Sequence, residues 1–157
     1  LASVAPNFAA YVLSFVYLAI YWNNHHHLLY ACERVDGLIL WANSFLLFCL
    51  SLVPVATAWL GENLIAPLPT ATYGAALLMS AIAYYLLQMA IIHQQGVHSV
   101  LAKALGRDVK GKISPLFYIA GIVLAFFVPW ASIALYALVA VMWLVPDRRI
   151  ESAIGNH

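Results

Sequence analysis

Three consecutive histidines, His25, His26 and His27, close an apolar run and follow directly on Trp22, Asn23 and Asn24. Imidazoles can ligate metals, shuttle protons or anchor hydrogen bonds. Metal binding from one helix wants histidines four apart, on one face. Consecutive residues on a helix point about 100° apart, so these three cannot converge on one ion. His93 and His98 are five apart, which is equally poor, and Cys32 and Cys49 have no metal-type spacing. No metal site is expected, and a disulfide between Cys32 and Cys49 is not expected either. No Ser/His/Asp arrangement and no phosphate-binding glycine loop stands out. What remains is an interfacial polar collar, or a structural or gating role for one of the three. Imidazoles and amides at the mouth of an apolar hairpin are costly without partners, and Asn43, near the start of the next apolar run, reads as an amide bonded across helices.

The elements that must hold these groups are apolar almost throughout. The chain has 157 residues, 65% hydrophobic and 8% charged. A soluble domain of ordinary composition carries about 25% charged residues. The composition therefore predicts an all-α polytopic membrane bundle. A net charge of +1 leaves no nucleic-acid footprint.

A spanning helix needs about 20 apolar residues. By that measure, five spans are expected at about 6–24, 38–60, 71–92, 113–128 and 130–145. Pro6 suits a first helical turn. Asp36 is a natural cap for the second span and Gly61 a natural stop. Pro54 removes a hydrogen bond inside that span and predicts a kink. Pro67 and Pro69 place 61–70 in a non-helical loop. Ala76 and Ser80 form a small-xxx-small pair for close helix contact, and Gln88 reads as a buried amide. Val97, Val100, Leu101, Ala104 and Leu105 follow helical spacing, so 93–112 reads as the third span continuing as an amphipathic cytosolic helix. One straight helix over 113–145 would be about 50 Å long, against a hydrocarbon core of about 30 Å. Two short spans turning at Pro129 fit better.

Five spans put Arg34, Lys103, Arg107, Lys110, Lys112, Arg148 and Arg149 on one side of the bilayer, which the positive-inside rule makes cytosolic. Glu62 falls on the other side, and the C-terminus is cytosolic. An external, uncharged Leu1 then predicts a further helix upstream, giving six.

Trp22-x-x-His25, followed by Asn43, then Pro54, Thr57 and Leu60-Gly61-Glu62, resembles the potassium channel family of the transmembrane-protein-175 type. The resemblance runs from about Ala5 to the end. It implies a subunit of a potassium-permeable channel, with no cofactor and K⁺ as the permeant ion. It implies a homotetramer of bacterial type in the plasma membrane. It implies a pore lined by a first helix bearing Arg-x-x-x-Phe-Ser-Asp, a motif that this sequence lacks. Trp22, His25 and Asn43 would then support that helix from behind, and the filter residues are not among those read here. Two other classes compete: a membrane enzyme using a metal at the histidines, and an accessory protein that transports nothing.

Overall fold

The computed structural model describes residues 5–63, 66–96, 99, 102 and 109–144. Its described elements are all helical: α1 (Ala5–Tyr30), α2 (Gly37–Glu62), α3 (Pro67–Gln95), α4 (Val109–Leu124) and α5 (Pro129–Leu144). α3 is the central helix. It packs along α2 on one side and α4 on the other, and it touches α5. α1 lies on α2, and α4 pairs with α5.

The helix ends explain several differences from the sequence-based expectations. α1 continues six residues beyond Asn24, so the histidines are helical rather than terminal. Asn24 folds its amide back to donate to the Ile20 carbonyl at 2.8 Å, so it does not compete for the ladder ahead of it. α2 is capped as expected: Asp36 accepts the Ile39 N–H at 2.9 Å. It runs to Glu62, past the expected end at Leu60, so Gly61 lies inside the helix and Asn63 closes the last turn.

Pro67 and Pro69 are not in a loop, because they occupy the first turn of α3. Proline lacks an N–H, and first-turn N–H groups have no intrahelical acceptor, so nothing is lost there. The third helix ends at Gln95, and most of the amphipathic stretch expected over 93–112 lies outside the described residues. Gly96, at φ 88°, ends the helix in a backbone conformation that glycine adopts without strain. Val97, Val100, Leu101, Lys103, Ala104, Leu105 and Arg107 lie outside the described residues, as do Arg148 and Arg149. The last apolar stretch breaks at Ala125–Val128, just before Pro129, which opens α5.

α2 and α3, at 26 and 29 residues, are long and apolar enough to cross a membrane; α5 is a shorter apolar helix. The outer surface is strongly apolar. Tyr11, Phe15, Trp22, Trp41, Phe127 and Trp130 are each more than half exposed. Such continuous apolar surface is rare on a water-soluble monomer.

Candidate functional site

His25 and Asn43 come from different helices and meet in the fold. His25 is buried on α1, and its Nε2 lies 2.6 Å from the Asn43 Oδ1 on α2. An amide oxygen only accepts, so the imidazole N–H donates. Trp22, one turn earlier on the exposed side of α1, sets its ring 6.0 Å from that of His25, tilted by 42°. The expected trio is thus one cluster. The i, i+3 relation of Trp22 and His25 places them on adjacent positions of one helix face. The charged turn at Glu33–Asp36 returns the chain so that Asn43 arrives opposite.

The other two histidines go elsewhere. His26 is exposed and its ring sits beside those of His27 and Tyr30. Among the described residues, no group of three or more His, Cys, Asp or Glu side chains could hold a metal.

Two contacts that sequence reasoning missed brace the same end of the bundle. Tyr84 on α3 donates its hydroxyl to the Asn24 carbonyl at 3.1 Å. Gln95, at the end of α3, donates to the Ala31 carbonyl at 2.8 Å. The Ala31 carbonyl lies just past the end of α1, where no helical N–H follows to meet it, whereas the Asn24 carbonyl is inside the helix and takes Tyr84 as an additional donor. Polarity near a helix end could have flagged Gln95; Tyr84, inside α3, gave no such sign. In the α1–α2 turn, Cys32 donates its thiol to the Arg34 carbonyl at 3.1 Å, and burial pushes that thiol up from its ordinary range. Cys32 and Cys49 are both free. Pro54 lies inside α2, which is helical on both sides of it.

A second cluster lies nearer the opposite end, between α1, α3, α4 and α5. Tyr17 donates to the Tyr136 carbonyl at 2.6 Å. The rings of Tyr17, Tyr73, Tyr118 and Tyr136 meet edge to face or tilted, with centroids 5.7–6.2 Å apart. Gly74 and Gly121 make the space, since a Cβ on either would run into the Tyr136 ring.

A family model described as the endosomal/lysosomal potassium channel TMEM175 matches residues 1–54, the stretch that carries Trp22, His25 and Asn43. A potassium channel of Chryseobacterium sp. is 50% identical over 157 residues, covering 100% of this chain and 82% of the relative. The chain belongs to the TMEM175 family. A potassium channel of Chamaesiphon minutus is 27% identical over 150 residues, 90% of this chain and 72% of that one. A potassium channel of Streptomyces collinus is 41% identical over 59 residues, 38% of this chain and 29% of that one. No solved structure matches the chain. Membership in a channel family gives a membrane location and points away from an enzyme.

Proposed function

We propose that this chain is a subunit of a potassium-permeable channel that conducts passively through a pore shared by four copies. The observation that carries the reading is the identity of half of all positions, along the whole chain, with a protein named a potassium channel. The His25–Asn43 pair with Trp22 beside it supports it, because those are the residues that the family resemblance singles out.

In this reading all five helices cross or enter the bilayer of a bacterial inner membrane. Lys110 and Lys112 face the cytosol, as do the α1–α2 turn and the C-terminus, and Glu62 faces outward. His25 and Asn43 hold α1 to α2 at the cytosolic end. Trp22 is 65% exposed in the single chain and is the face offered to a neighbouring pore helix. The three residues support the pore and do not line it.

Two measurements test this. The full-length protein reconstituted in liposomes should carry a potassium-selective flux, and His25→Ala should reduce that flux or the yield of tetramer. Correctly inserted protein that passes no potassium overturns the channel reading. Separately, cysteines placed at positions 62 and 110 should label from opposite sides of the membrane. Labelling of both from one side overturns the topology and leaves the channel reading standing.

A further inference from the structure

α2 carries its two tryptophans on one line. Successive helical residues turn by about 100° and rise by about 1.5 Å, so about 18 positions make five full turns. Trp41 and Trp59 are 18 positions apart and therefore share a direction, about 27 Å from each other along the helix. Phe45, Phe48, Leu52 and Val55 fall between them, each within about 40° of the same line. Leu52 is half-buried and the other five are exposed, from 38% at Trp59 to 79% at Trp41. α2 packs against α1 and α3, and the line points away from both.

The make-up of the line says what covers it. Its length is close to that of a hydrocarbon core, about 30 Å. It ends on both sides in tryptophan, which collects at the two membrane–water interfaces. No charged residue stands between Asp36 and Glu62, the groups just outside its ends. Membrane helices approach one another through small residues, and the line has none. Beside it, Ser44 and Ser51 donate to carbonyls of their own helix, those of Leu40 at 2.9 Å and Phe48 at 2.7 Å, so neither asks for an outside acceptor. The exposed side of α1 is unlike this. It presents Asn23 and His26 beside Trp22, polar groups that hydrocarbon alone does not satisfy.

We propose that the Trp41–Trp59 line is a lipid-facing border of the assembled protein. Acyl chains cover Phe45 to Val55, the two indoles lie at the two headgroup levels, and no second copy docks there. The inference rests on α2 spanning the bilayer, as in the proposed function, and not on conduction.

Nitroxide scanning of the full-length protein in liposomes tests this. Cys32→Ser is the background; Cys49 is fully buried, and the background protein carried through the labelling is the blank. Cysteines placed singly at positions 41, 45, 48, 52, 55 and 59 are spin-labelled. Each is challenged with oxygen, which concentrates in hydrocarbon, and with a neutral nickel chelate, which stays in water. Positions 48 and 52 should collide freely with oxygen and hardly with nickel. The oxygen-to-nickel ratio should fall about tenfold by 41 and 59, at the interfaces. Where Trp41→Cys or Trp59→Cys does not insert, positions 45 and 55 give the gradient. Low access to both reagents at 48 and 52 means that protein, such as a second copy, covers the line. High nickel access there means water. Either result overturns the proposal. Potassium flux from the same liposomes is read separately. Flux with a covered line overturns this proposal alone, and a lipid-facing line without flux overturns the channel reading alone.

Discussion

The two polar clusters of this bundle are built on opposite plans. At the histidine end, one side-chain pair across two helices makes the join, His25 to Asn43 at 2.6 Å. At the tyrosine end, four rings from four helices interlock. The main hydrogen bond there goes to a backbone carbonyl, and two glycines open the room. The first depends on the identity of two side chains. The second depends on the absence of side chains at two places. A polar pair tolerates small shifts of its helices, because long side chains can follow. A ring stack against bare backbone tolerates almost none, because close-packed interiors have no slack.

That contrast predicts the largest effect at the glycines. Gly74→Ala and Gly121→Ala each drive a methyl into the Tyr136 ring, which is 1% exposed and held by Tyr73 and Tyr118. Overpacking of this kind costs about 1–3 kcal/mol. Thermal unfolding in detergent should fall accordingly. The nearest atom to the added methyl at Gly74 is the Tyr136 hydroxyl, whereas at Gly121 it is a ring carbon. Tyr136→Phe should therefore rescue Gly74→Ala more than Gly121→Ala. Equal rescue would mean that the ring moves as a unit and the cluster is less rigid than drawn.

The next effect is at the other end. His25→Ala strands the half-buried Asn43 amide, and Asn43→Ala strands the buried His25 ring, each at about 1–2 kcal/mol. His26→Ala, at an exposed position, should stay within about 0.5 kcal/mol. The double substitution His25→Leu with Asn43→Leu should cost less than the sum of the singles, since no polar group is left over. Additive losses would show that the two residues act apart.

How much of this could be read beforehand follows from the same contrast. At the histidine end, the family resemblance singled out Trp22, His25 and Asn43, while residue type and spacing alone did not join His25 to Asn43. The all-helical class followed from composition and apolar run length. The helix ends were less legible. Prolines at 67 and 69 look alike in a loop and in a first turn, and only the chain's path decides between them. Asn24 reads as a stop until its amide is seen folded back on Ile20. Gly96 was there to be read as a helix end, but the apolar spacing beyond it, from Val97 to Leu105, argued for continuation. The tyrosine cluster gave least warning. Its rings are at 17, 73, 118 and 136, and nothing local joins them. Two isolated glycines inside apolar helices were the available sign, since such glycines often mark close approach.

The smallest effects make the sharpest test of the tyrosine end. Tyr17 and Tyr73 have the same side chain, are buried to 3% and 2% exposure, and meet edge to face at 6.0 Å. Their hydroxyls differ. That of Tyr17 donates to the Tyr136 carbonyl, while that of Tyr73 has no partner among the described residues. Tyr17→Phe removes a made bond, and hydrogen bonds within membranes average about 0.6 kcal/mol. Tyr73→Phe removes a polar atom buried without a partner, so the change should be neutral or slightly stabilising. Both retain the ring and its contacts, so packing cancels in the comparison. The measurement is the difference in unfolding midpoint between the two single variants in one detergent. Tyr17→Phe should unfold first. If Tyr73→Phe is the less stable of the two, the Tyr73 hydroxyl has a partner in the assembled protein. The tyrosine end would then be a hydrogen-bonded cluster like the histidine end, and the contrast between the two would disappear.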